Sequence, residues 1–292
     1  MPIDAYASRP HYRDHIAPIW ENLPDRGVFH TRAPKPGDTI IVASRDDLAR
    51  VKLNWRRIVF VEHGAGQTYV DNRTPGGYAG GPERGDVDLF ICPNERTAEL
   101  NRRSYPRAKT VNTGSPRVEW LRRRRVSPSS GVAYSWHWNC HVSPEAKGAW
   151  EWYRDTLEVD GSTIGHGHPR IWNRLFKWWQ TLGVEPVEDF AEVVARASVY
   201  VCDNSSTIYE AAACGIPVVL MNAPWYRRDV WHGLRFWEHL PGPQVESSDQ
   251  IPSAVREASE WGDVRERVTE AVYGEVNGSI GRAVEAVASM VA

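Results

Sequence analysis

The sequence predicts an α/β protein of two domains, each built on a parallel sheet with helices on its faces. Strand-like and helix-like segments alternate in the first half of the chain, and the alternation resumes in the second. Between the halves lies Val126-Ser-Pro-Ser-Ser-Gly131, a short, polar, turn-forming stretch that reads as a linker. The length, 292 residues with 41% hydrophobic content, gives enough apolar mass for two cores. The expected division is residues 1–128 and 129–292. A final helix is expected to turn back toward the first domain after the Gly274 to Gly281 interruption.

In order, the first half reads as a helix over residues 11–22, strands at 39–43, 58–62 and 89–92, a helix over 94–104 and a strand at 110–112. The second half reads as a strand at 132–136, a helix over 144–156, a strand at 162–165, and helices over 170–183 and 190–197. The most informative segment follows: Ser198-Val-Tyr-Val-Cys-Asp-Asn-Ser-Ser-Thr-Ile-Tyr-Glu-Ala-Ala-Ala-Cys-Gly-Ile-Pro-Val-Val-Leu-Met221. Its first five residues are β-branched and apolar enough for a buried strand. Asp203-Asn-Ser-Ser206 supplies N-cap side chains, Ala211 to Ala213 favour helix, Gly215 stops it and Pro217 opens the next strand. The tail from residue 264 onward is mostly helical in pattern.

Composition narrows the function. The net charge of −2 argues against a general nucleic-acid binder, and Arg122-Arg-Arg-Arg125 reads as a solvated helix end. No run approaches the roughly 18 apolar residues of a membrane span, and the N-terminus lacks a signal-peptide core, so a cytoplasmic protein without stable membrane insertion is expected. The four cysteines show no C-x-x-C spacing and are expected to be buried free thiols. Fourteen tryptophans are many for this length; most are expected to pack, one or two to touch a ligand.

Three motifs carry chemistry. A helix starting at Ser205 or Ser206 would turn backbone N–H groups and two hydroxyls toward a phosphate, with Glu210 placed one turn on for ribose hydroxyls. Glu62-His-Gly-Ala-Gly-Gln67 follows a strand, which puts His63 at the carboxyl end of a parallel sheet, where ligands bind in such folds. An imidazole with an ordinary pKa near ~6.5 suits a general base for a hydroxyl group. Ile164-Gly-His-Gly-His-Pro-Arg170 brings two imidazoles and a guanidinium beside glycines expected to be flexible, and His168 and Arg170 are the expected phosphate contacts. Asp86-Val-Asp88 leads straight into a strand and is not expected to bind metal.

Taken together these segments resemble the GT-B glycosyltransferase superfamily, and within it the CDP-glycerol glycerophosphotransferases and related phage and bacterial glycosyltransferases. The likeness rests on His63-Gly64, Gly114-Ser-Pro-Arg117, His168-Pro169, and Asp203-Asn-Ser-Ser206 with Glu210, in that order, across roughly residues 55–225. It implies two Rossmann-like domains with parallel sheets facing a central cleft, His63 as base, and His168, Ser205 and Ser206 as holders of the donor diphosphate. Two departures separate the chain from the glycerophosphotransferases: Ala65-Gly-Gln-Thr-Tyr69 stands where they carry Thr-Pro, and Val118-Glu119 where they carry Asn-Asp.

The segment Glu210-Ala-Ala-Ala-Cys-Gly-Ile-Pro217 is more like the sugar-transferring relatives. The expectation is therefore an inverting, metal-independent transfer of a sugar from a nucleoside-diphosphate donor, such as a UDP-sugar, to an acceptor hydroxyl on a glycan, protein or small molecule, with no prosthetic group. His63 is the expected base, His168, Arg170, Ser205 and Ser206 the diphosphate contacts and Glu210 the ribose contact. Gly64, Gly66, Gln67, Arg117, Asn204 and Thr207 complete the expected cleft lining. The alternatives are CDP-glycerol-type glycerophosphate transfer on the same scaffold, a sugar 2-epimerase, which would need several carboxylates beside Glu62 and Glu210, and a non-catalytic nucleotide- or glycan-binding module.

Overall fold

The computed structural model describes residues 1–65, 82–125, 131–139, 147–226 and 238–291. The chain divides into two compact units: Met1–Trp120 with Tyr273–Ala292, and Leu121–Val272. The 126–130 linker, Gly66, Gln67, Cys140 and the start of the expected 144–156 helix lie outside the described residues.

The first unit contains β1 (Ile3–Tyr6), α1 (Pro10–Trp20), β2 (Arg26–His30), β3 (Gly37–Val42), α2 (Arg45–Val51), β4 (Trp55–Val61), β5 (Leu89–Cys92), α3 (Glu95–Ser104) and β6 (Lys109–Asn112). Helix α4 (Pro116–Arg124) begins in this unit and ends in the second. The six strands are all parallel, in the order β2-β1-β3-β4-β5-β6. The alternation of side chains along each strand builds two cores. Ile41, Val59, Val61, Leu89 and Ile91 face Ile16 and Ile19 of α1, whereas Ile40, Val42, Ile58, Phe60 and Phe90 face Leu48 of α2 and Ala98 of α3.

The second unit contains β7 (Gly131–Trp136), α5 (Trp150–Tyr153), β8 (Ile164–Gly167), α6 (Trp172–Thr181), β9 (Glu185–Pro186), α7 (Phe190–Arg196), β10 (Ala197–Cys202), α8 (Thr207–Ala213), β11 (Val218–Met221), β12 (Gln244–Val245), α9 (Ile251–Glu257) and α10 (Gly262–Tyr273). Its parallel sheet runs β12-β11-β10-β7-β8-β9. Strand order therefore reverses between β7 and β10, the place where an open α/β sheet leaves a crevice at its carboxyl edge. On one face Trp136, Tyr153, Leu175, Trp179, Val201 and Val219 form a single core, which uses several of the tryptophans for packing. Helix α11 (Ser279–Ala288) returns to the first unit, where Ala283, Ala286 and Val287 join the α1 side of its core. Glu119 holds this helix, accepting hydrogen bonds from the Ser279 hydroxyl at 3.0 Å and the Ile280 N–H at 2.8 Å.

Several expectations are corrected here. The expected 144–156 helix is confined, among the described residues, to the short α5, and β1 and β2 were absent from the sequence pattern. The glycines of the Ile164–Arg170 segment are packing positions, not flexible ones: a Cβ on Gly165 would run into the Trp179 indole, and one on Gly167 into Leu175. His166, between them, points to the opposite face and is buried, with its Nδ1 bonded to the Ser135 hydroxyl at 2.7 Å. Only His168 and Arg170 of that segment reach the sheet edge.

Candidate active site

The carboxyl edge of the first sheet is built around His63. Val61, the last residue of β4, faces α1, so the next residue must face α3 and the one after it α1 again. Glu62 accordingly goes to the α3 side, buried, and accepts from the Arg84 guanidinium and from the Asn101 amide at 2.8 Å. It is a structural carboxylate paired with Arg84, whose guanidinium in turn lies 4.4 Å from the Phe60 ring centre. His63 returns to the α1 side, with the rings of Tyr12 and His15 edge-on at 5.5 and 5.7 Å.

The His63 side chain is open to solvent on one side. Crowding on the other side desolvates it and lowers its pKa below the ordinary value; Glu62 works against this, and the Arg84 and Arg117 guanidinium groups add to it. Solvent moderates the desolvation, but the two cations push in the same direction. The ring is thus held neutral at neutral pH. His15 is buried and held neutral more strongly, first by desolvation and then by Arg117, which donates to its Nε2. Arg117 sits at the start of α4, whose first turn is capped by the Ser115 hydroxyl, accepting from the Val118 N–H at 3.3 Å.

Backbone geometry fixes the turns on either side. Gly64 takes the left-handed conformation at φ 75°, and Asn94 donates to the Ala65 carbonyl at 2.9 Å while also capping α3 through Thr97 N–H. Gly114 of the Gly-x-Pro-Arg motif is likewise left-handed, φ 73°, with no room for a Cβ beside the Glu275 carbonyl. Asp88 accepts from the Ile58 N–H at 2.7 Å, and Asp86 lies 3.9 Å from the Lys52 ammonium. Among the described residues no cluster of three or more His, Cys, Asp or Glu side chains is arranged to hold a metal ion.

The carboxyl edge of the second sheet gathers residues from three strands. His137 and Trp138 follow β7, His168 and Arg170 follow β8, and Asp203, Asn204 and Ser205 follow β10. Asp203 is not an N-cap, contrary to the sequence reading. Fully buried, it spans the switch point, accepting from His137 N–H at 2.8 Å and Ala149 N–H at 2.7 Å. The cap of α8 is instead Ser205, whose hydroxyl accepts from Thr207 N–H at 3.3 Å; Ser206 lies at the cap position with helical dihedrals and no side-chain cap bond. Asn204 and Glu210 are each 2% exposed, while Ser206 and Thr207 are half-buried.

Two imidazoles meet at this edge, the rings of His137 and His168 edge-on at 5.0 Å. The His168 Nδ1 accepts from Arg170 N–H at 3.1 Å, which leaves Nε2 as the protonated nitrogen of the neutral ring. His137 Nδ1 donates to the Trp138 carbonyl at 2.8 Å. The Arg170 guanidinium lies 4.3 Å from the Trp138 ring centre, a cation–π contact that holds a positive charge over the edge. Sequence reasoning missed His137 and Trp138 although they follow a strand just as His63 does. It had no signal for His15, which packing of α1 brings in.

No protein-family model and no curated protein sequence matches the chain. Solved structures do match in fold. The wall teichoic acid polymerase TagF aligns over 99% of this chain and 81% of its own with a TM-score of 0.62 at 13% identity, in a variant soaked with CDPG. A putative UDP-N-acetylglucosamine 2-epimerase from Listeria monocytogenes aligns over 99% and 96% at 0.58 and 12% identity. The chain has the GT-B fold. The UDP-GlcNAc 2-epimerase from Neisseria meningitidis, bound to UDP-GlcNAc, shares this GT-B fold over 99% and 100% of the two chains, with a TM-score of 0.53 at 11% identity.

Proposed function

We propose that this GT-B protein transfers a sugar from a nucleoside-diphosphate donor to an acceptor hydroxyl, with His63 as general base. The observation that carries the reading is the setting of His63: a solvent-reached imidazole at the carboxyl end of β4, edge-on to Tyr12 and His15, with its pKa lowered by desolvation and by the Arg84 and Arg117 cations. A neutral imidazole has a lone pair for the acceptor proton, and a base of this kind contributes about 10²–10⁴ in rate. The acceptor oxygen attacks the anomeric carbon as its proton passes to His63. The bond from that carbon to the diphosphate oxygen breaks, and the nucleoside diphosphate leaves with both electrons, inverting the centre.

The second unit supplies the groups suited to the leaving diphosphate. His168 offers a protonated Nε2, Arg170 a fixed charge, and Ser205 and Ser206 hydroxyls; Glu210, one turn into α8, is the proposed ribose contact. These cationic and polar donors meet the leaving charge without a metal, so activity is expected to persist in a chelator. Glu62 is taken up by Arg84 and Asn101, which disfavours the epimerase reading, because that reaction needs open carboxylates. The fold likeness to TagF favours one second reading, glycerophosphate transfer from CDP-glycerol with the same base and the same diphosphate contacts.

The deciding experiment is turnover with UDP-, GDP-, dTDP- and ADP-sugars and with CDP-glycerol against a mixed panel of hydroxyl acceptors, for wild type and His63→Ala. Sugar transfer lost in the variant supports the proposal. Turnover confined to CDP-glycerol replaces it with the second reading, and a variant within about threefold of wild type refutes His63 as base.

A further inference from the structure

Beneath Ser205 a file of polar side chains crosses the core of the second unit, on the sheet face opposite the tryptophan cluster. His166 Nδ1 and the Ser135 hydroxyl are 2.7 Å apart, buried, on β8 and β7. On the same face of the neighbouring strand β10 stands the Tyr200 phenol. That phenol, on a residue with no solvent exposure, lies 2.7 Å from the Thr207 hydroxyl, and Thr207 in turn donates to the Ser205 hydroxyl at 2.9 Å. Strand β10 and α8 thus contribute to a chain of hydroxyls, Tyr200 to Thr207 to Ser205, that ends at the sheet edge. Burying four polar side chains where Val, Ala or Phe would pack is costly unless each is satisfied, so the chain stabilises the fold less than an apolar core would.

We infer that this chain is a positioning relay that makes Ser205 a directed hydrogen-bond donor, an inference that rests on the proposed diphosphate contact of Ser205. The direction follows from hydroxyl bookkeeping. A hydroxyl has one proton to give and accepts through its lone pairs. Ser205 Oγ already accepts from both the Thr207 hydroxyl and the Thr207 N–H. Its acceptor capacity is used, and its own proton is left to point away from α8. The same sense runs backward without conflict, the Tyr200 hydroxyl giving its proton to Thr207. A donor oriented in advance costs no reorganisation when a phosphate oxygen arrives.

The relay predicts that residues which never touch the donor control its affinity. The test is calorimetric binding of UDP, CDP, GDP, dTDP and ADP to the full chain and to Thr207→Val, Thr207→Ser, Tyr200→Phe and Ser205→Ala, with each variant's melting temperature recorded. Loss of the Ser205 contact is expected to weaken the tightest ligand about tenfold or more, and loss of its orientation in Thr207→Val or Tyr200→Phe about three- to tenfold. Thr207→Ser, which keeps the hydroxyl, is expected to bind within about twofold of wild type. A general packing defect would instead lower the melting temperature of Thr207→Val and leave binding at saturating fold unchanged.

Wild-type affinity in Thr207→Val and Tyr200→Phe, with binding lost in Ser205→Ala, overturns the relay and leaves the Ser205 contact standing. Wild-type affinity in Ser205→Ala removes the contact and the relay together. Binding of none of the five nucleotides by wild type overturns the proposed function itself.

Discussion

The carboxyl edges of the two sheets differ in what their side chains have been given to do. At the first, a single exposed imidazole is kept uncharged by its surroundings, with the neighbouring carboxylate turned away into an ion pair. At the second, donors accumulate: a protonated His168 nitrogen, a guanidinium pinned over Trp138, and a serine at the end of a buried polar file. In the proposed reaction one edge accepts a proton and the other meets an anion. Both follow the same rule, that residues just past a parallel strand escape the hydrogen-bonding ladder and are free for chemistry.

That contrast can be broken most sharply at His63. Replacing it with Ala is expected to lower turnover about 10²–10⁴-fold and to leave nucleoside-diphosphate affinity within about twofold, read by steady-state kinetics and calorimetry on one preparation. The opposite split is expected at the second edge. Arg170→Ala should raise the donor KM about tenfold or more with a smaller change in kcat, since the proposed charge-assisted contact to the donor phosphates would be lost.

A third test sharpens the account of the base. The cation of Arg117 opposes protonation of His63 and His15, so Arg117→Met is expected to raise both pKa values and move the acid limb of kcat/KM toward higher pH. In wild type that limb should lie below the ordinary histidine value of about 6.5. The smallest expected effect is on stability. His15 and His63 are held neutral in the fold but protonate near pH ~6.5 when unfolded, so the unfolded chain binds more protons just below that pH. Stability should therefore fall as pH drops through about 6.5 and level off below the folded pKa values, and His15→Gln should flatten the slope in urea titrations.

Much of this contrast was legible in the sequence, and the illegible part has physical causes. Strand β5 was bounded correctly by its apolar run Leu89-Phe-Ile-Cys92, and the ends of β4, β8 and β10 fell close enough to place His63, His168 and Ser205 at sheet edges. Strand β2, Arg26-Gly-Val-Phe-His30, was missed because it is a partly exposed edge strand without the hydrophobic signature of a central one. Asp203 looked like a cap because Asp commonly is one. Only the structure shows it reaching across the switch point to two backbone N–H groups from another segment. The glycines around His166 looked flexible, whereas an indole and a leucine need the space. Contacts made across the sheet leave no spacing in the sequence, which is why His15 and the Ser135–His166 link were invisible there.

The division of labour between the two edges is tested most directly by measuring binding of UDP, GDP, CDP, dTDP and ADP, in the presence of a chelator, to wild type, His63→Ala and Arg170→Ala. The account expects at least one nucleotide to bind wild type and His63→Ala alike and to bind Arg170→Ala about tenfold or more weakly. Binding lost in His63→Ala but kept in Arg170→Ala, or no binding of any nucleotide to wild type, would contradict it.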